Sequence, residues 1–202
     1  QANVAAFYND YDDLQVFLLT GMGAVIENAA KAEVKGVEVE LVAAPVDGLL
    51  ANVTLAYLDG EYDEYVTADP TDPSGVLRDL SGNRVNRSPE WTASGGIQYA
   101  IPLGDLGTLT PRIDFYWQDE SFFRPQNLPR DREDDWHRSD FNLTWKGPES
   151  ENGQWSLQLF VHNIEDDDNV MNISAGAGSI GFPVQAILHP PRTFGAIVGF
   201  QY

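Results

Sequence analysis

The chain has 202 residues and no Cys, and 31 Asp and Glu against 12 Lys and Arg give a formal charge of −19. A hydrophobic fraction of 43% is enough to build an apolar core or face, which excludes a wholly disordered chain. The acidic balance argues against a nucleic-acid partner, because phosphate binding needs a basic patch, and the lack of Cys excludes disulfides and Cys-based metal sites.

Alternation of apolar and polar residues predicts β-strands along most of the chain, because successive side chains of a strand point to opposite faces. From residue 155 onwards, Trp155, Leu157 and Leu159 fall on one face. Ser156 and Gln158 fall on the other face. We predict nine strands, at about residues 1–9, 13–20, 25–44, 48–60, 88–101, 108–119, 136–146, 154–164 and 192–202.

The third of these strands has a competing interpretation. Residues 24–40 are rich in Ala, Glu, Lys and Val, a composition that a helix also uses. Alternation of charged and apolar residues from Lys35 to Leu41 favours a strand instead. Gly36 lies where the apolar positions change parity between Val34 and Val37, which predicts a β-bulge at this glycine.

The connections between the predicted strands are of two lengths. Short turns are expected at 9–13, 44–48, 102–107 and 146–153, with a modest loop around Gly21 to Gly23. Long loops are expected at 59–87, 119–135 and 165–191. Because antiparallel neighbours alternate in direction, this order places the short turns at one end of the sheet and the long loops at the other.

Two all-β architectures fit this pattern. Strands of about ten residues are long enough to cross a bilayer when tilted, and aromatic residues near strand ends are typical of the girdles of a membrane barrel. The polar face carries Arg112, Asp114 and Gln158, which suit a wet lumen better than a dry core. The alternative is a soluble extracellular β-sandwich that binds carbohydrate. The predicted girdle aromatics are Tyr99, Trp117, Trp136, Trp145, Trp155, Phe200 and Tyr202.

Four segments, in this order, resemble the carboxy-terminal part of TonB-dependent outer-membrane receptors. Residues 28–40 (NAAKAEVKGVEVE) resemble a strand of that family, and residues 86–91 (NRSPEW) resemble the entry to a later strand. Residues 161–166 (VHNIED) resemble a further segment of the family, and residues 191–195 (PRTFG), with the terminal Tyr202, resemble its last strand. The segments together extend from Asn28 to the end of the chain.

The resemblance implies a transmembrane antiparallel β-barrel segment, about nine strands of a plugged barrel of about 22 strands. Residues 1–202 would be the carboxy-terminal portion of this barrel, without its plug domain and TonB box. It implies energy-dependent uptake of a large scarce solute across a Gram-negative outer membrane, with an iron-siderophore favoured over cobalamin or an oligosaccharide. The implied partners are membrane lipid and lipopolysaccharide, the remaining barrel and plug, the TonB complex, and a small solute such as a metal chelate.

The candidate contacts for such a solute are aromatic and cationic residues near the outer opening of the barrel, where the long loops lie, because aromatics and Arg dominate binding hot spots. No catalytic residue, metal site or cofactor is predicted. The three His residues lack metal-ligand spacing, and the acid-rich loops fit a solvated surface, although Ca²⁺ binding there stays open. The candidate contacts are Tyr62, Tyr65, Tyr116, Phe122, Phe123, Arg124 and Trp136.

Overall fold

The computed structural model describes residues 1–20, 23–175, 181 and 183–202. Its main sheet is antiparallel, and eight strands follow one another in chain order across it. Within the described ranges, no helix is long and apolar enough to cross a membrane. The eight strands are β1 (Ala2–Thr20), β2 (Gly23–Ala43), β3 (Leu49–Ala68), β5 (Trp91–Tyr99), β7 (Thr108–Gln118), β10 (Trp136–Lys146), β11 (Gln154–His162) and β14 (Thr193–Gln201).

Short elements occupy the connections. Strands β4 (Leu77–Asp79) and β6 (Ile101–Pro102) pair with β3 and β7 beside the main path. Two separate hairpins, β8 (Ser121–Phe122) with β9 (Arg132–Glu133) and β12 (Val170–Ala175) with β13 (Val184–Leu188), lie in the second and third long loops. Single 3₁₀ turns occupy Gly104–Leu106 and Pro129–Asp131.

The predicted turn at residues 9–13 is wrong, and the main path therefore has eight strands rather than nine. β1 runs from Ala2 to Thr20 along β2, and its register shifts between Tyr11 and Leu14. Asp13 takes a left-handed backbone conformation there, with φ of 57°. An irregularity of this kind accommodates extra residues without ending the strand. Residues 9–13, which have the composition of a turn, therefore remain within β1. Residues 21 and 22 of the predicted loop lie outside the described residues.

The first long loop is also shorter than predicted. β3 continues to Ala68, and its extension pairs with β2, where Ala30 lies opposite Tyr65. Glu61 and Glu64 of this extension are exposed, so pairing with β2 places these acidic side chains in solvent. Long-range pairing therefore overrides the low strand propensity of an acidic segment.

Gly36 does not form the predicted bulge. The register is continuous on both sides of it, with Phe7 opposite on β1 and Leu58 opposite on β3. A Cβ at position 36 would lie 2.6 Å from Cζ of Phe7 and 2.4 Å from the backbone oxygen of Tyr57. Glycine is needed because the Phe7 ring covers this position. The apolar residues Val34 and Val37 fall on opposite faces of the sheet because Val34 lies on the face that Gly36 shares.

The apolar face of the sheet is open. Phe194, Val4 and Val198 expose 81, 73 and 66% of their surface, respectively. A sandwich would press this face against a second sheet and bury it. The exposure contradicts the sandwich alternative and fits a face that contacts lipid, so we call it the outer face.

Aromatic residues on the outer face lie at both ends of the apolar band. Tyr57 and Trp91 pair near the long loops, with ring centroids 4.8 Å apart. Trp155 and Phe200 pair near the short turns, also at 4.8 Å. An aromatic pair at each end of an apolar band matches the girdles of a transmembrane barrel, whose band is about 25 Å tall.

Candidate functional site

The opposite, inner face is lined by polar side chains that bond to one another across strands. Arg112 of β7 donates from Nε to Asp114 at 2.8 Å and from its Nη atoms to Gln98 of β5 and Asn52 of β3, both at 3.2 Å. Nearer β14, Gln158 donates to Asn142 at 2.8 Å. These networks satisfy polar groups on a wall that faces water, as the predicted lumen requires.

An aromatic row lies on this face at the end of the sheet with the long loops. The Tyr116 and Trp136 rings have centroids 5.3 Å apart, and the Tyr116 hydroxyl bonds to Gln118 at 3.1 Å. The His189 ring also lies beside Trp136, with ring centroids 5.2 Å apart. Trp136 is therefore not a girdle residue as predicted, because it shares the inner face with Asp140 and Asn142. The odd-numbered Trp117 falls on the outer face.

Tyr62 and Tyr65 are buried beyond the membrane-spanning part of the sheet. Each exposes 3% of its surface, and they pack with Ala30, Ala32 and Leu80. The Tyr62 hydroxyl donates to Oδ1 of Asn86 at 2.7 Å, and burial raises the pKa of Tyr62 to about 12. This small core fastens the first long loop over the extensions of β2 and β3.

Arg124 forms a buried ion cluster that joins the first two long loops. Its guanidinium donates two bonds to Asp131, at 2.7 and 2.8 Å, and a third to Asp69 at 3.1 Å. Arg124 and Asp69 are each 6% exposed, and Asp131 is fully buried. Thr71 adds two hydrogen bonds to Asp69, at 2.9 and 2.6 Å. The cluster holds residues of the two loops in a single geometry.

The charge of Asp69 makes this cluster sensitive to acid. Burial alone would raise the pKa of Asp69, but the hydrogen bonds from Thr71 and the charge of Arg124 outweigh it and lower the pKa. A carboxyl with a lowered pKa in the folded state stabilises above its ordinary value of about 4, and this contribution is lost as the pH falls through the lowered value. We expect pepsin cleavage of the two loops to increase steeply below about pH 4.

The matched control for this prediction is Asp69→Asn, which removes the titrating group. Its loops should be cleaved faster at pH 5 than those of the wild type, and their cleavage should change less as the pH falls. Equal profiles for the two proteins would contradict the role of Asp69.

The seven predicted contacts therefore separate into two groups. Phe123 is 9% exposed and donates its backbone N–H to Asp131 at 2.8 Å, so it belongs with the buried residues Tyr62, Tyr65 and Arg124. Phe122 is partly exposed, and its ring lies 5.9 Å from Cζ of Arg84. Tyr116 and Trp136 lie on the inner wall. The solute-binding role of all seven stays a prediction.

Three residues that hold the base of the third long loop were not singled out in the sequence. Asn163 has a φ of 54°, and its side chain donates to the carbonyls of Asp167 at 3.1 Å and Pro190 at 3.2 Å. Asp166 accepts from the backbone N–H of Arg192 at 3.0 Å and from its guanidinium at 2.8 Å. All three lie in the segments 161–166 and 191–195, so the family resemblance of these segments is the sequence feature that could have identified them.

Comparison with known proteins is consistent with these features. Residues 1–164 match the family described as TonB dependent receptor-like, beta-barrel. The structure superposes on the ferric yersiniabactin uptake receptor FyuA from Yersinia pestis with a TM-score of 0.73 and 23% identity, over 98% of this chain and 27% of that one.

Two receptors from Acinetobacter baumannii are also similar. The siderophore receptor PiuA gives a TM-score of 0.71 and 19% identity, over 100% of this chain and 26% of that one. The ferric preacinetobactin receptor BauA gives a TM-score of 0.70 and 14% identity, over 98% of this chain and 27% of that one. The chain thus spans about a quarter of the length of the structures it matches.

Proposed function

Because this chain belongs to the TonB-dependent receptor-like β-barrel family, whose members transport solutes and are not enzymes, we propose that it forms part of the wall and mouth of an outer-membrane uptake receptor. The observation that carries the proposal is the two-sided sheet, with an apolar outer face between two aromatic pairs and a hydrogen-bonded polar inner face. The transport driven by TonB is the activity of the whole receptor. This chain supplies barrel wall and external loops.

The proposed topology places residues 1–202 as the carboxy-terminal portion of the barrel, with remaining strands and a plug domain as its partners. The long loops face the cell exterior and lipopolysaccharide, and Tyr202 faces the periplasm. The coverage of about a quarter of each similar receptor supports a chain that is one portion of a longer protein. The carboxy-terminal placement rests on the resemblance of residues 191–195 and Tyr202 to the last strand of the family. Contact with TonB belongs to the plug and not to these residues.

The proposed solute is an iron-siderophore complex. The similar proteins named above are described as a ferric yersiniabactin uptake receptor, a siderophore receptor and a ferric preacinetobactin receptor, which supports this class over cobalamin or an oligosaccharide. We propose that Tyr116, Phe122 and Trp136 contact the solute. The other four predicted contacts are buried and influence solute binding indirectly, because they fix the shape of the loops. These residues are Tyr62, Tyr65, Phe123 and Arg124.

The proposal is tested by uptake of ⁵⁵Fe-labelled siderophores into iron-starved cells whose sole receptor is the complete protein containing this chain. We expect accumulation that stops when TonB is deleted. Cells that accumulate none of a panel of hydroxamate, catecholate and carboxylate complexes would contradict the iron-siderophore assignment, and accumulation that persists without TonB would contradict the transport mechanism.

Replacing Trp136 with Ala is expected to weaken binding of the transported complex about 30-fold or more, because aromatic hot spots contribute about 2 kcal/mol or more. The measurement is the dissociation constant on whole cells at 0 °C, where transport is arrested. Trp117→Ala, which removes the same ring from the outer face, is the matched control and should leave affinity unchanged. Equal effects of the two variants would contradict a solute contact at Trp136.

A further inference from the structure

Arg87 lies where the three long loops meet. It belongs to the first long loop, and its backbone N–H donates to the carbonyl of Phe122 in the second loop at 2.7 Å. Its guanidinium donates to Oδ1 of Asn172 in the third loop. The hairpin that contains Asn172 leads directly into His189, whose ring lies beside Trp136 on the inner face. The three loops therefore hold this guanidinium at the end of the sheet that carries the aromatic row.

The charge of Arg87 has no carboxylate partner among the residues that the structure describes. Each of the other eight arginines has a carboxylate oxygen within 4 Å of a guanidinium nitrogen. They are Arg78, Arg84, Arg112, Arg124, Arg130, Arg132, Arg138 and Arg192. A chain with a formal charge of −19 is rich in such partners, so Arg87 is an exception that places a positive charge at the junction of the loops.

The backbone of Arg87 takes a conformation that arginine rarely adopts. Its φ is 60°, in the left-handed region that is unfavourable for a residue with a Cβ. The preceding residue is fixed, because Oδ1 of Asn86 accepts a hydrogen bond from the buried Tyr62 at 2.7 Å. Glycine or asparagine would fit this backbone at lower cost, so the reason for an arginine here lies in its side chain.

The guanidinium of Arg87 is open to a ligand. A guanidinium has five N–H donors in one plane, and the contact with Asn172 uses one of its nitrogens. Arg87 is exposed, so its remaining donors are accessible. Phe122 in the same junction is partly exposed, and the cation near its ring, Arg84, is already paired with Glu120 at 3.2 Å. This arrangement suits a carboxylate, because a carboxylate accepts two parallel hydrogen bonds from a guanidinium.

We propose that Arg87 is a specificity-determining residue that binds an uncoordinated carboxylate of the transported iron complex. This inference rests on the proposed uptake function, and it adds the chemical group by which the solute is recognised. The guanidinium donates two hydrogen bonds to the carboxylate, while Phe122 contacts the adjoining part of the solute. A complex without a free carboxylate leaves the Arg87 donors in water and binds more weakly.

The test compares matched iron complexes on whole cells at 0 °C that carry the complete receptor. The probes are the ⁵⁵Fe complexes of the hydroxamate, catecholate and carboxylate panel, and the same complexes after conversion of their uncoordinated carboxylates to methyl amides. We expect the transported complex to carry such a carboxylate and to bind about tenfold or more weakly after conversion, because a hydrogen-bonded charge pair is lost. A transported complex that lacks an uncoordinated carboxylate, or that binds equally well after conversion, would overturn the inference.

Arg87→Gln should abolish this preference. The variant keeps an N–H donor for Asn172 but loses the charge and the planar fork, so it should bind the carboxylate form about tenfold or more weakly and the amide form as the wild type does. Arg78→Gln is the matched control, because Arg78 is an exposed arginine of the same loop that is paired with Asp72 at 3.0 Å. Its affinities for both forms should equal those of the wild type.

A second variant separates recognition from loop positioning. Asn172→Ala breaks the contact between the first and third loops but keeps the guanidinium, so the preference for the carboxylate form should persist. Equal weakening of both forms by Arg87→Gln, or loss of the preference in Asn172→Ala, would show that Arg87 only positions the loops. Uptake that depends on TonB but not on Arg87 would overturn this inference alone. A receptor that binds the carboxylate form through Arg87 and accumulates none would overturn only the uptake proposal.

Discussion

Replacing Arg124 with Ala is expected to destabilise the two joined loops by about 3–5 kcal/mol, because it leaves the fully buried Asp131 carboxylate without its cationic partner, while Asp69 keeps only the half-exposed Arg130 at 3.2 Å. Asp131 is fully buried and accepts two of the guanidinium bonds, and Asp69 accepts the third. The barrel wall does not depend on this cluster. The loops should therefore become sensitive to trypsin in intact cells, while the barrel keeps its heat-modifiable mobility on gels.

Arg132→Ala is the matched control for this prediction. Arg132 pairs with Glu120 at 3.3 Å and with Asp134 at 2.6 Å, but its side chain is 45% exposed. Exposed ion pairs contribute about 0–1 kcal/mol, so the loops of this variant should resist trypsin almost as well as the wild type. If the two variants were cleaved at the same rate, the buried cluster would not be what joins the loops.

Replacing Leu159 with Arg is expected to block membrane assembly, at a cost of about 2–4 kcal/mol, because its side chain meets hydrocarbon. Leu159 lies in the middle of β11, between Leu143 of β10 and Ala196 of β14, and is 45% exposed on the outer face. The measurement is the fraction of receptor that reaches the outer membrane in heat-modifiable form. Val198→Arg, on the same face of β14, should behave alike.

Gln158→Arg provides the control, since it adds the same side chain one residue away. Gln158 points to the inner face and bonds to Asn142, so an Arg there stays in a polar environment. We expect assembly close to that of the wild type. Equal loss of assembly in Leu159→Arg and Gln158→Arg would contradict the assignment of the outer face to lipid.

Most strands could be predicted from alternation alone. The strand predicted at 108–119 is β7, Thr108–Gln118, and the one predicted at 136–146 coincides with β10. The errors fall where distant pairing decides. Residues 9–13 have turn composition but stay in β1 because β2 continues beside them, and Gly36 is required by Phe7, which lies 29 positions earlier.

The candidate site was predictable by residue type and region but not by role. Tyr62 and Arg124 are the kinds of residue that bind ligands, yet both are buried by contacts with the chain itself. The burial of Arg124 depends on Asp69, which is 55 positions away and in another loop. A local sequence pattern cannot predict an ion pair between residues of two different loops.

The sequence by itself determined the strands and their two faces, because the side-chain period of two is a local property that apolar and polar residues mark directly. Only the tertiary structure decided which aromatics face the mouth and which support the loops. That choice depends on pairing register and on contacts between loops, and a one-residue shift in register moves every side chain to the opposite face.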